Sequence, residues 1–232
     1  PSAQGFFGHF SLAVTADEAR IPLGLVALET VFRLEKSIGT KHWDRSKRRG
    51  ERQRWLNCVD DAETHLASRT GAIHVMDREG DSYAVLAGLI EQQRSFVIRS
   101  FQDRVLASHE ANLRGVARSA RRSFKREVPL SPRRHILGPK GQRHPARRSR
   151  VAKLSFAAVA VELPRTSDAP TAARSVAANV VHVLEMKPPR GEPAVEWFLL
   201  TDLPIDSDQQ IAFIVDCYRG RWTIEEFFKA LK

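Results

Sequence analysis

The chain has 232 residues, 42% hydrophobic and 28% charged, a balance that suits one large or two small globular domains and excludes collagen-like or low-complexity classes. No apolar run reaches the about 20 residues that cross a bilayer. Thirty-seven Lys and Arg against 27 Asp and Glu leave a formal charge of +10. Two cysteines, Cys58 and Cys217, and eight scattered histidines give no zinc-ligand spacing and no disulfide framework, so the expected state is reduced thiols in a cytoplasmic protein.

In chain order, residues 5–33 alternate and read as two strands joined by a turn around Asp17–Arg20. In the charged stretch that follows, the spacing of Trp55, Val59, Ala62 and Leu66 predicts an amphipathic helix. GAIHVMD predicts a short buried strand, DREGDSY a turn, AVLAGLIEQQ a helix and SFVIRS another strand. Strand, helix and strand in that order predict a parallel α/β unit. From about residue 100 the pattern changes. Turn-rich segments separate KLSFAAVAVEL, ANVVHVLEM and EWFLLT, the pattern of antiparallel strands.

Within that second zone lies a charge cluster. Thirteen basic residues between Arg114 and Arg150 face one acid, Glu127, a surplus of +12 that exceeds the charge of the whole chain. Such a cluster suits a polyanion, because each neutralised phosphate releases condensed counterions. It also suits a solvated loop with no partner.

The closing stretch from Asp206 predicts two helices. Ser207 caps the first, Gly220 ends it, and Thr223 with Glu226 forms a T-x-x-E capping box for the second. Ile224, Phe227, Phe228 and Leu231 fall on one stripe, expected to be buried. Glu225 and Lys232 sit at its rim, and Glu225 lies in the first turn, where the helix dipole favours a carboxylate. Another candidate is Asp77, at the end of the strand AIHV in M-D-R-E-G-D. Side chains beyond the carboxyl ends of α/β strands collect ligands, and a carboxylate there suits Mg²⁺. The same residues also suit an ordinary polar turn.

Tyr218, Arg221, Glu225 and Lys232 stand in the spacing Y-x2-R-x3-E-x6-K. This resembles the motif of the insertion-sequence-four family, the Tn-five-like cut-and-paste transposases. M-D-R-E-G-D is similar to that family's D-R-E-x-D segment, and further similarity runs through F-V-I-R-S at 96–100 and W-F-L-L-T at 197–201. The four blocks occur in order over almost the whole chain.

The resemblance implies an RNase H-like catalytic core interrupted by a β-rich antiparallel insertion. Residues 1–99 would be the first part of the core, 100–201 the insertion with its basic loop, and 202–232 the closing helices. It implies Asp77 and Glu225 as two of three carboxylates that hold two Mg²⁺ (or Mn²⁺) ions for in-line phosphoryl transfer. Tyr218, Arg221 and Lys232 match residues that grip DNA phosphates, Arg99 an arginine at the DNA end, and Trp197 a tryptophan on which a flipped base stacks. Trp197 also suits a core indole between Val195 and Leu199. The implied partners are double-stranded DNA, both transposon end and target, and a second copy of the intact protein. The implied location is the bacterial cytoplasm, on DNA and not on membrane. The family's first carboxylate would precede Pro1, so the expectation is a fragment, inactive by itself. A non-catalytic DNA-binding remnant and an RNase H-like nuclease are the other expectations.

Overall fold

A computed structural model describes residues 6–32, 45–66, 71–107, 111–130, 132, 136–137, 143–144, 148–167 and 169–231. The alternating start forms an antiparallel hairpin of β1 (Phe6–Val14) and β2 (Pro22–Phe32). Its turn closes on Asp17, whose Oδ1 accepts from Thr15 Oγ1 at 2.6 Å and from the Arg20 N–H at 3.1 Å. The Thr15 hydroxyl, then the Arg20 N–H, hold the Asp17 carboxyl below the usual carboxylate range. Asp17 is thus a turn-forming residue.

Next comes α1 (Arg45–Leu66), which buries Cys58, Val59 and Ala62 on one face. Then follow β3 (Ile73–Met76), a 3-10 turn over Arg78–Gly80, α2 (Tyr83–Glu91) and β4 (Ser95–Arg99). β3 and β4 pair in parallel, as the strand–helix–strand pattern predicts. Gly80 allows the tight turn. A Cβ there would lie 2.8 Å from the Cβ of Met76, closer than two carbons pack.

The second half adds α3 (Leu113–Ser119), β5 (Arg122–Leu130), the two-residue strands β6 (Ile136–Leu137) and β7 (Arg143–His144), β8 (Arg150–Pro164), β9 (Ser175–Glu185) and β10 (Glu196–Thr201). Helices α4 (Asp208–Gly220) and α5 (Trp222–Ala230) close the chain. The antiparallel strands do not form a sheet of their own. β10 pairs with β9 on one side and with β4 on the other, giving one mixed sheet in the order β3-β4-β10-β9-β8-β5. The architecture is therefore mixed α/β, with the sheet running unbroken from residues before 100 to those after it.

Alternation along the strands assigns the two faces. Phe96 and Ile98 of β4 pack with Val59 of α1 and Leu86 and Leu89 of α2, whereas Val97 packs with Leu199 of β10 and Ile214 and Val215 of α4. Helices α1 to α3 thus cover one face, and α4 the other.

The closing helices depart from expectation. Ser207 caps α4 as predicted, and its box partner is Gln210. The expected Thr223–Glu226 box does not form. α5 starts at Trp222, and the residue before it, Arg221, stays in helical geometry at φ −52° and ψ −30° with no side-chain cap. A capping residue must leave helical geometry, and the chain passes from α4 into α5 without an extended residue. Glu226 instead pairs with Lys229 at 2.5 Å. The expected buried stripe is only half covered: Phe227 and Phe228 lie against Phe10 of β1 at 6.5 and 5.3 Å, while Leu231 is exposed.

A buried carboxylate ties the turn after β3 to the chain after β4. Asp81 accepts from the N–H groups of Phe101 at 2.6 Å and Gln102 at 2.8 Å, and Arg104 makes a charge contact with it at 2.5 Å. Its side chain is fully enclosed. Removing one partner of such a pair strands the other charge. Asp81→Ala is therefore expected to lower the unfolding free energy by about 3–5 kcal/mol, read as a fall in the urea midpoint; a loss below about 1 kcal/mol, the worth of a surface pair, would refute it.

Candidate functional site

Parallel β3 and β4 end at Met76 and Arg99, and antiparallel β10 begins beside them at Glu196. The site is assembled at this edge of the sheet. Asp77, directly after β3, is half-buried and caps the 3-10 turn, its Oδ1 accepting from the Glu79 N–H at 2.8 Å. Arg99 pairs across from Leu199 and shares its face of the sheet, the face that α4 covers. Trp197 stands two residues before Leu199 on that same face.

The α4–α5 junction supplies the facing wall. Tyr218, near the end of α4, is buried and meets the Trp197 ring edge-on at 5.4 Å. Trp197 itself is half-buried against the core, so the core-indole reading holds for part of the ring while the rest reaches solvent. Arg221 donates from Nη2 to Glu225 Oε1 at 2.8 Å, and its guanidinium lies 6.0 Å from the Tyr218 ring centre. Burial works against the Arg221 cation, but Glu225, Tyr218 and Asp77 outweigh it and raise its pKa above the usual arginine value. Arg221 therefore lies within the field of both Asp77 and Glu225. Of the seven residues singled out from the sequence, Trp197, Tyr218, Arg221 and Glu225 are linked by contacts, Asp77 and Arg221 line one cavity, Arg99 ends β4 on the face that carries Trp197, and Lys232 lies outside the described residues.

Asp77 and Arg221 also line a cavity of about 1190 Å³ bounded by the hairpin, α1, β3 and α4–α5. In its wall Asp216 of α4 accepts from Arg126 of β5 through both oxygens at 2.7 Å and from Arg219 at 2.9 Å, with Arg20 of the hairpin turn at 3.6 Å. Cys58 and Cys217 are both free, and burial pushes each thiol up to about 11.

A second polar assembly was invisible in the sequence. Glu196 accepts two bonds from Arg118, at 3.0 and 2.9 Å, and one from His182 at 2.9 Å. Arg122 approaches the other nitrogen of His182 at 3.0 Å. Because Arg122 can only donate, Nδ1 accepts and the proton sits on Nε2, facing Glu196. The imidazole stacks on Phe198 at 4.6 Å, and burial pushes its pKa down. This assembly anchors the start of β10 on both sides of Trp197.

Several arginines of the basic cluster are paired. Arg118 is held by Glu196, Arg126 by Asp216, and Arg150 by Glu185 and Glu192. The carboxylates come from outside the segment, so its local charge count overstates what faces solvent. Arg121, Lys125 and Arg148 are exposed. Arg133, Arg134, Lys140 and Arg147 lie outside the described residues, as does the side chain of Arg143.

No protein-family model matches the chain. Among the described residues no helix is long and apolar enough to cross a membrane, and no group of three or more His, Cys, Asp or Glu converges on one point.

The Asp216 cluster makes a pH-dependent prediction. Burial alone would raise the Asp216 pKa, but the bonds and charges of Arg126 and Arg219 prevail and hold it below the usual carboxylate value. A carboxylate depressed in the folded state stabilises above its unfolded pKa of about 3.9 and loses that contribution as the pH falls through the folded value. The stability advantage over Asp216→Asn, from urea midpoints, should be full above about pH 4 and shrink below it. An advantage unchanged down to about pH 2 would count against the assignment.

Proposed function

We propose that this chain is part of the catalytic region of a cut-and-paste DNA transposase of the insertion-sequence-four type, built on an RNase H-like core. One observation supports the reading above others. Trp197, Tyr218, Arg221 and Glu225, from two separate stretches of sequence, are linked by contacts, and Asp77 and Arg99 stand at the carboxyl ends of β3 and β4, at the same end of the sheet. Chance placement of unrelated surface residues gives no reason for that convergence.

The donor chemistry fits a hard divalent cation. Asp77 uses one carboxylate oxygen for its turn, and Glu225 uses one for Arg221, which leaves each an oxygen for coordination. Mg²⁺ is commonly held by one or two carboxylates, with water and substrate phosphate completing its shell. Asp77 and Glu225 would hold Mg²⁺ (or Mn²⁺), which when bound lowers the pKa of water and polarises a phosphoryl oxygen. Arg221, poised by Glu225 and Tyr218, offers a charged donor to a DNA phosphate. The exposed part of Trp197 offers a surface for a displaced base, and Arg99 adds a cation at the end of β4.

In protein expressed from the complete reading frame, Asp77→Ala and Glu225→Ala should each reduce Mg²⁺-dependent DNA cleavage by more than the about 10–100-fold lost with an outer-shell partner. Duplex affinity should change little. Cleavage that survives either substitution removes that residue from the site. Assaying joining of the cut end to a second DNA decides between a transposase and a nuclease that only hydrolyses.

The pairing of the arginines separates binding from folding roles. Substituting Arg121, Lys125 or Arg148 with Ala should weaken duplex binding and lower the slope of log affinity against log salt by about 0.9 per lost phosphate contact. Arg118→Ala should act on stability, because its guanidinium belongs to Glu196. A salt slope indifferent to all three exposed cations would exclude them from the DNA interface.

A further inference from the structure

Trp197 stands where β10 is held least by its own ladder. On the β9 side, Glu196, Trp197 and Phe198 pair with Leu184, Val183 and His182. On the β4 side the pairing covers only Leu199, Leu200 and Thr201, and one further bond runs from the Ser100 N–H to the Phe198 carbonyl at 2.7 Å. Glu196 and Trp197 thus have a strand partner on one edge alone among the described residues. A strand end paired on one edge opens more readily than one paired on both.

Side chains on the opposite face supply what the ladder lacks. Trp197 points toward Tyr218 and α4, so its neighbours Glu196 and Phe198 point the other way. There the guanidinium of Arg118 in α3 spans both. It donates from Nε and Nη2 to the two oxygens of Glu196, at 3.0 and 2.9 Å, and lies 5.4 Å from the Phe198 ring centre. His182 of β9 touches the same two residues, donating from Nε2 to Glu196 at 2.9 Å and stacking on Phe198 with the rings only 3° from parallel. The imidazole is buried and is braced by Arg122, which also donates to the Ser155 carbonyl at 3.0 Å. A forked guanidinium–carboxylate pair is geometrically specific in a way that a lysine ion pair is not. Two side chains, each joined to positions 196 and 198, therefore fix the pleat from which the indole of residue 197 projects.

We propose that Glu196 is a positioning residue for Trp197: held by Arg118 and His182, it sets the angle at which the indole meets Tyr218 and presents its exposed part. What that presentation is for rests on the DNA reading above; the positioning itself does not. Misplacement by about 1 Å can cost about 100-fold in a step that depends on orientation. Residues on the far face of β10 can therefore govern a platform whose ligand they do not meet.

Fluorine NMR of the chain labelled with 5-fluorotryptophan tests the positioning. Four tryptophans are present, and Trp197→Phe identifies the signal of interest. Glu196→Gln and Arg118→Lys should each move or broaden that signal while the others stay in place. The double variant should add little to the larger single effect, because the groups act as one unit. Leu163→Ala, which opens a cavity at the far end of the β8–β9 pairing, should lower stability and leave the Trp197 signal alone. A signal unmoved in both Glu196→Gln and Arg118→Lys overturns the proposal. So does one that moves as far in Leu163→Ala, which is general loosening. The DNA side is read with a duplex whose end carries one unpaired 2-aminopurine, quenched when it stacks on the indole. Glu196→Gln should lose most of the quenching that Trp197→Phe loses, with duplex affinity retained. Quenching lost in Trp197→Phe but kept in Glu196→Gln overturns the proposal. Quenching indifferent to Trp197→Phe overturns the base-stacking reading instead, and the fluorine signals then decide the positioning by themselves.

Discussion

The pairing on both edges of β4 is the constraint on which the rest of the structure depends. One edge takes β3 in parallel and the other takes β10 antiparallel. Phe96, Val97 and Ile98 are fully buried, with neighbours alternating between the two helix layers. Polar groups close the far end of the pairing: the Thr201 hydroxyl donates to the Phe96 carbonyl at 2.6 Å, and Asp202 accepts from the Phe96 N–H at 2.7 Å. A strand held on four sides cannot shift register without exposing apolar residues or stranding backbone groups. Its position sets the carboxyl end of β3 and the start of β10 at the same end of the sheet, one strand apart.

Charge in this molecule is used first for construction. Asp81, Asp216, Glu185 and Glu196 each gather at least one arginine, and each set joins elements far apart in sequence. The Asp216 set connects the hairpin turn, β5 and α4. A mean basic surplus therefore says little about where a polyanion would lie. Cations with no carboxylate close by decide that, together with Arg221, which is held by Glu225 yet borders the cavity.

Local patterns were read well where they rest on short-range physics. The hairpin, the strand–helix–strand unit, the Ser207 cap and the antiparallel runs of the second half follow from alternation, helical spacing and side-chain caps. The Thr223–Glu226 box failed because capping requires a break in helical geometry, and the path from α4 into α5 makes none at Thr223. The stripe on α5 was legible as a pattern, but its burial depends on a neighbour, and among the described residues its ring contacts come from Phe10 of β1. For the candidate site, spacing around Tyr218, Arg221 and Glu225 picked out residues that do lie together, because they share one helical junction. The assembly of Glu196, His182 and Arg118 left no trace, since its members are 14 and 78 residues apart.

By itself, the sequence determined most of the elements, though not α3, and most of the faces they bury. Each of these depends on neighbours within a few turns of helix or residues of strand. Only the tertiary structure decided that the antiparallel strands extend the parallel unit, that carboxylates outside the basic segment claim several of its arginines, and that Asp77 and Arg221 line one cavity. Those outcomes come from pairing between distant segments, where packing and charge select among many arrangements that local patterns leave equally open.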